Sequence, residues 1–270
     1  MDDPLNWTDA DQERALRAIA PWYDLDFGPL TDDVEMLLEL AAPAERVLEL
    51  GAGSGRIAVP LAEAGCRVTA IDSSDGMLAA GQARMREAGV HVVRADMRCL
   101  SIGGAFDLVC FGLSTFQHLL RRSDQLAALQ SARRHLADNG RLLIDWTAPR
   151  PDDLDPTPSP MQLEWLREAP TGELVTKSAA QELALDRASG SPLDRALAIA
   201  WITYQYDAVN ESGLLRRSLA RFPLRINLTA GEMAGLLFES GLTPTQWFGS
   251  WQLDEVGDGD RLIVLAEAAG

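Results

Sequence analysis

The chain reads as an α/β fold built on a mostly parallel sheet, interrupted by an antiparallel β insertion after the fifth strand. Three observations carry this reading. An apolar strand runs into a glycine-rich turn and then an amphipathic stretch between residues 47 and 65. Strand-like and helix-like segments alternate from 46 to 148, the pattern of right-handed βαβ units. Five prolines then fall between 149 and 160 (Pro149, Pro151, Pro156, Pro158, Pro160). They bar helix and central strand, and the segments beyond them are strand-like.

The elements follow in order. Residues 8–20 form a helix capped by Thr8 or Asp9. Pro21 breaks it and leads into Trp22-Tyr23-Asp24-Leu25, and a second helix begins near Thr31. The first strand, Val47-Leu48-Glu49-Leu50, enters Gly51-Ala52-Gly53-Ser54-Gly55. The second is Arg67–Ile71, closed by Asp72; the third is 91–94 and the fourth Phe106–Phe111. A helix over 123–137 starts at Ser123 and stops at Asn139-Gly140. The fifth strand is 141–145. Beyond the prolines, strands are expected near 174–187, 196–207 and 214–226, the last two joined by the turn Asn210-Glu211-Ser212-Gly213. A helix at 230–240 and closing strands at 243–250 and 261–267 complete the chain.

The glycine turn points to a ligand. Glycine lets backbone approach closely and take φ > 0, and a helix start presents N–H groups without intrahelical partners. A dinucleotide fingerprint requires G-x-G-x-x-G, but Arg56 stands where its third glycine would fall. The spacing is instead acidic-x-G-x-G-x-G, with Glu49 ahead of the loop. Asp72 lies about 20 residues past the loop, where a Rossmann-like unit places a ribose-binding acid. Asp72, Asp96 and Phe111 all sit at carboxyl ends of strands, where open α/β sheets bind ligands.

Taken in order, these pieces resemble the class I S-adenosylmethionine-dependent methyltransferases, strongly over roughly residues 20 to 148. The resemblance implies a Rossmann-like, mostly parallel seven-stranded sheet ending in an antiparallel pair. It implies S-adenosyl-L-methionine as cofactor and S-adenosyl-L-homocysteine as product. The residues it assigns to the cofactor are Glu49, Gly51, Ala52, Gly53, Asp72, Ser73, Met77, Asp96, Met97 and Phe111. In that family a Met at the place of Met77 packs on adenine, and an Asp at the place of Asp96 takes the adenine amino group. Asp96 is equally read as a helix cap. Ser114-Thr115-Phe116-Gln117-His118-Leu119 and Tyr23-Asp24-Leu25 resemble segments of bacterial N-methyltransferases acting on nucleotide-linked amino sugars, whose His and Tyr lie close to the acceptor. His118 is accordingly the candidate base, with loop packing as its alternative. Tyr23 is assigned to acceptor or cofactor.

The acceptor side is less specified. Alternation puts Ile202, Tyr204 and Tyr206 on one face of a strand and Trp201, Thr203 and Gln205 on the other. Arg217, Arg221 and Arg225 form a row that is either a partner for the protein's own carboxylates or a recognition site for an acidic acceptor. Trp146, leaving the fifth strand, is assigned to the acceptor with Trp22, Tyr23, Tyr204 and Arg225.

With 24 basic against 40 acidic residues, the formal net charge of −16 argues against nucleic acid and anionic membranes as partners. Cys66, Cys99 and Cys110 lack metal-type spacing, so reduced thiols and no metal are expected. The start Met1-Asp2-Asp3-Pro4 is acidic, so no signal peptide and a cytoplasmic location are expected. The expected division is an N-terminal helical lid (1–45), a cofactor-binding core (46–148), a mostly β acceptor-side insertion (149–228), and a C-terminal helix with the last strands (229–270). The expected function is methyl transfer to an N or O nucleophile of a small molecule. Two rivals stay open: a protein of this fold acting as a cyclase or regulatory binder, and a nicotinamide-dependent oxidoreductase. The insertion hairpin can also pair two subunits as a homodimer.

Overall fold

The computed structural model describes residues 3–150, 155, 157–184, 198–257 and 259–269. In chain order the helices are α1 Asp9–Ile19, α2 Tyr23–Phe27, α3 Asp32–Ala41, α4 Ala58–Glu63, α5 Asp75–Glu87, α6 Arg122–His135 and α7 Ala230–Glu239. The strands are β1 Arg46–Leu50, β2 Arg67–Asp72, β3 His91–Arg94, β4 Phe106–Phe111, β5 Leu136–Thr147, β6 Gln162–Glu168, β7 Leu174–Leu183, β8 Ile199–Val209, β9 Leu215–Arg225, β10 Leu242–Phe248 and β11 Arg261–Ala268. The chain divides into two compact units, 1–29 with 150–227 and 30–149 with 228–270.

The larger unit holds a seven-stranded sheet in the order β10-β11-β5-β4-β1-β2-β3. β1 to β5 are parallel, and β11 and β10 close the sheet antiparallel. This is the mostly parallel α/β sheet expected from the alternating pattern. Its strands are apolar on both faces, and each face has its own core. One gathers Leu48, Leu50, Phe111, Leu129 and Trp146; the other Leu37, Val47, Leu61, Leu108 and Ile263. Each such side chain, fully buried, contributes roughly 1.5–3 kcal/mol. The closing helix α7 begins with a capping box in which Thr229 and Glu232 exchange hydrogen bonds.

The smaller unit is a four-stranded antiparallel sheet in the order β6-β7-β8-β9. Even-numbered residues of β8 and β9 (Ala200, Ile202, Tyr206, Ala208, Ala220, Phe222) bury against Ala15 and Ile19 of α1 and against Trp22. The face carrying Ile202, Tyr204 and Tyr206 packs on α1, and Trp201 of the other face is buried as well. α1 is capped by a Thr8–Asp11 box, and Ser218 Oγ donates to the Ala18 carbonyl at 2.7 Å.

Several elements differ from expectation. α2 has only five residues, too few for a periodic signature. β6 is an edge strand with a bulge between Leu163 and Trp165; its Leu163 and Leu166 are exposed, so no alternation announces it. Residues 1–29 group with the β insertion, and α3 with the sheet of the larger unit, so the boundary falls near Pro29 rather than at residue 45. Parts of the strands expected at 174–187 and 196–207, together with Pro151 and Pro156, lie outside the described residues.

Candidate functional site

β1 delivers the chain into the glycine turn beside the end of β2. The Gly51 and Ala52 N–H groups both donate to the Ile71 carbonyl, at 2.8 and 2.9 Å. The Gly53 N–H donates to Asp72 Oδ2 at 2.8 Å and the Ser74 N–H to Asp72 Oδ1 at 2.8 Å. Asp72 therefore ties the glycine loop to the turn that opens α5. Gly51 and Gly53 have φ of +79° and +58°. A Cβ on Gly51 would run into the Thr115 methyl, and one on Gly53 would sit 3.0 Å from the Met77 methyl. The ends of β1, β2 and β4 thus bring Gly51, Ala52, Gly53, Asp72, Met77 and Thr115 together around backbone held bare of side chains.

Glu49 lies beneath this loop. It is buried, and its Oε2 has no hydrogen-bond partner. Burial pushes its carboxyl up to about 8; Arg56 opposes the shift, and Asp72 and Asp33 add to it. Arg56 occupies the place of the missing fingerprint glycine. It donates to the Leu30 carbonyl at 2.8 Å and forms a bidentate ion pair with the fully buried Asp33 of α3. A buried carboxyl oxygen without a hydrogen-bond partner is costly, and here it sits under a loop shaped for close approach.

The raised Glu49 value has a thermal consequence. The folded chain holds a proton from about pH 4.5 to about 8 that the unfolded chain has released, so stability falls as pH rises through that window. Glu49→Gln is expected to flatten that part of the Tm-against-pH curve. Parallel curves for the two proteins would show that Glu49 is not the group responsible.

Other predicted residues find different surroundings. Asp96 accepts the Arg98 N–H at 2.8 Å and takes the Arg98 guanidinium through Nε at 3.0 and 2.9 Å. Burial raises its carboxyl, but the Arg98 hydrogen bonds outweigh this and hold it below the usual range. It is both a cap of the 3-10 turn Met97–Cys99 and an ion-pair partner. Met97 packs partly against the sheet core. Ser73 is exposed, its carbonyl receiving Arg94 Nε at 3.3 Å, while the neighbouring Ser74 caps α5.

Phe111 and Trp146 require correction. Phe111 is fully buried with its ring edge-on to Phe116. Trp146 is fully buried, donates Nε1–H to the Leu228 carbonyl at 2.8 Å and meets Trp247 edge-on. Both are core side chains: Phe116 packs on the first, and Leu228 and Trp247 enclose the second.

After β4 the chain turns through Leu113 and Ser114, with φ of 42° and 64°, into the 3-10 turn Thr115–His118. His118 is partly buried, and loss of solvent pushes its imidazole down to about 4. It is neutral near pH 7. Nothing in the sequence singled out the partners of this turn: Gln117 Oε1 accepts the Thr147 N–H at 3.1 Å, and Asp145 Oδ2 accepts the Leu113 N–H at 3.1 Å. The available signal was an acid closing an apolar strand.

Within the smaller unit, α2 carries Tyr23, whose ring lies 4.8 Å from Phe27, and Trp22 stacks on Tyr206. Tyr204 lies under the Lys177 ammonium, 3.9 Å from its ring centre. Burial, with Asp26 and Glu164 nearby, raises the Tyr204 phenol, so it stays protonated. Arg217 pairs with Asp207 and Arg221 with Glu182. Arg225 is buried. The arginine row therefore serves the protein's own carboxylates at its first two positions. Among the described residues there is no His/Cys/Asp/Glu cluster able to hold a metal, and no helix long and apolar enough to cross a membrane.

Residues 47–140 match a family model described as a methyltransferase domain. A cypemycin N-terminal methyltransferase from a Streptomyces species is 35% identical over 103 residues, covering 38% of this chain and 42% of that protein. The chain thus aligns with about two fifths of that relative's length. The solved CcbJ methyltransferase of Streptomyces caelestis superposes with a TM-score of 0.73 at 22% identity, covering 96% of this chain and 99% of that one. An amino pentose methyltransferase of calicheamicin biosynthesis from Micromonospora echinaspora, solved with S-adenosylmethionine bound, gives 0.64 at 19% identity, covering 99% and 100%. The seven-strand order and the antiparallel closing pair agree with these neighbours. The residues at the strand ends fit the ligand: a buried Glu49 oxygen without a hydrogen-bond partner, a loop that excludes Cβ atoms, and an aspartate that fixes that loop. Residues 47–140 thus match a methyltransferase domain, on a fold shared with solved S-adenosylmethionine-dependent methyltransferases.

Proposed function

We propose that the protein transfers a methyl group from S-adenosylmethionine to an N or O nucleophile of a small molecule by in-line displacement. The observation that carries this reading is the convergence of Gly51, Gly53, Asp72, Met77 and Thr115 above the Glu49 carboxyl, whose Oε2 has no hydrogen-bond partner. When bound, S-adenosylmethionine supplies a methyl already activated by its sulfonium. What remains for the protein is alignment, which can supply roughly 7–11 kcal/mol of a barrier. Cofactor binding is assigned to the core 46–148, through Glu49, the glycine loop, Asp72 and Met77. Acceptor recognition is assigned to the β insertion with the N-terminal helices, led by Tyr23, Trp22 and Tyr204. An amine acceptor is favoured by the neighbours, one of which is named for N-terminal methylation and one for an amino pentose. The cytoplasm is the proposed location.

His118 has a limited role in this reading. An imidazole held near 4 is neutral at pH 7 and a weak base. It suits orientation of the acceptor, or removal of a proton from an already acidified nucleophile, better than deprotonation of an ammonium. His118→Ala is expected to lower kcat by about 10- to 100-fold, at or below the lower end of general-base effects, with no kinetic limb near 6.5. A kcat equal to that of the unsubstituted protein would remove the residue from the mechanism.

The test of the whole reading is calorimetric titration with S-adenosylhomocysteine, with NADH as control, followed by an acceptor screen read as a one-methyl mass shift. Binding without any methylated product across amine, hydroxyl and carboxylate acceptors would favour a regulatory binder. Binding of NADH alone would overturn the cofactor.

A further inference from the structure

We propose that Asp145 and Arg261 are positioning residues that hold Leu113 and Ser114 in left-handed backbone and so set Thr115 against the glycine loop. The inference rests on the cofactor reading above.

Among the described residues only three non-glycine positions have positive φ, and two are the adjacent Leu113 and Ser114. An L side chain is disfavoured there by the approach of Cβ to the following carbonyl. Two in succession persist only where the surroundings impose them. Here the imposing groups are explicit. Asp145 accepts the Leu113 N–H through Oδ2 at 3.1 Å and the Ser114 N–H through its backbone carbonyl at 3.0 Å. Arg261 holds Asp145 Oδ1 through Nε at 2.9 Å and a second nitrogen at 2.5 Å. Its remaining nitrogen donates to Ser114 Oγ at 3.2 Å and Thr147 Oγ1 at 2.9 Å. Trp251 donates Nε1–H to Asp145 Oδ2 at 3.2 Å, and its ring lies 4.8 Å from the Arg261 guanidinium carbon. Gln117, taking the Thr147 N–H, ties the far end of the turn to the same strand.

Both charges are buried, with side-chain exposures of 1% for Asp145 and 7% for Arg261. A buried ion pair is weak evidence for stability, because well-packed apolar residues of similar volume often do as well. What apolar residues cannot do is fix two strained backbone amides and a serine hydroxyl at once. The clamped segment leads directly to Thr115, whose methyl fills the space a Gly51 side chain would need. Movement of this turn therefore opens or crowds the glycine loop.

Calorimetric titration of the full chain with S-adenosylhomocysteine tests the proposal. Arg261→Met is expected to weaken affinity about tenfold, and Arg261→Lys about threefold, because lysine keeps the charge beside Asp145 but cannot also serve both hydroxyls. Leu113→Gly added to Arg261→Met is expected to recover most of the affinity, since glycine adopts φ > 0 without penalty. A merely structural loss would lower Tm and would not be reversed in affinity at Leu113. If Arg261→Met does not fold, Thr147→Val replaces it as the test; it removes one acceptor, leaves the ion pair, and is expected to weaken affinity about threefold. Unchanged affinity in the folded variant, or a loss that Leu113→Gly leaves untouched, overturns the proposal. An unsubstituted protein that fails to bind S-adenosylhomocysteine overturns the cofactor reading and this inference with it.

Discussion

Asp72→Ala is expected to weaken S-adenosylhomocysteine binding at least about 100-fold, a loss of about 2.7 kcal/mol, and to lower stability as well. Two separate consequences combine. The buried Gly53 and Ser74 N–H groups lose their acceptor, and hydrogen bonds to a charged group contribute about 1.5–3 kcal/mol. The acceptor oxygens that the cofactor reading places at the end of β2 disappear with the same side chain. Asp72→Asn separates the two in part: its single amide oxygen can take one backbone N–H, while its NH2 faces the other donor. It is expected to bind better than alanine and far worse than aspartate. Affinity in Asp72→Ala within threefold of the unsubstituted protein, with the fold intact by circular dichroism, would remove Asp72 from the site.

The contrast between what was legible and what was not follows the range of the forces involved. The glycine turn, the acids closing β2 and β3, and the Thr8 cap are local backbone requirements, so a few adjacent residues announce them. The sheet alternation and the division of β8 into two faces likewise follow from periodicity. Trp146 was misread because its burial depends on Leu228, a residue 82 positions away. Asp145 and Arg261 are 116 residues apart, and neither strand hints at the other. Asp96 was read for a ligand while its immediate neighbour Arg98 occupies much of its carboxylate. Here the local signal was present, in the two-residue spacing of opposite charges, but the family pattern does not specify that arginine. Lys177 offers the clearest missed clue. It is the single lysine of the chain, and it stands where the alternation of β7 calls for a buried residue. A cation at such a position requires an acid from elsewhere.

That acid is Asp26, and Asp26→Ala is expected to destabilise the protein by about 3–5 kcal/mol, the cost typical of removing one partner from a buried ion pair. The carboxylate has three partners. Oδ2 takes the Lys177 ammonium at 2.7 Å and the Tyr206 hydroxyl at 2.8 Å, and Oδ1 takes Trp165 Nε1–H at 2.8 Å. Burial and the charge of Asp26 raise the Tyr206 phenol, so it remains a donor at every working pH. Without Asp26, Lys177 has the more exposed Glu164, at 2.8 Å, as its remaining ion-pair partner beside the Tyr204 ring. Tyr206 and Trp165 lose the acceptor their polar atoms use. Arg167 also donates to the Leu25 and Asp26 carbonyls, so the short α2 is held mainly by this cluster rather than by its own helical hydrogen bonds. A helix of five residues has little stability of its own. Loss of the anchor should therefore loosen Trp22 and Tyr23 with it. Chemical denaturation of Asp26→Ala, Lys177→Met and the double variant measures the coupling directly. A coupling energy above about 1 kcal/mol is expected, with the double variant less destabilised than the two singles added together. Additive losses would show that the ion pair does not anchor α2. Increased quenching of tryptophan fluorescence in Asp26→Ala at denaturant concentrations below the unfolding transition, lost when Trp22 and Trp165 are replaced by phenylalanine, is the expected sign that this cluster has loosened.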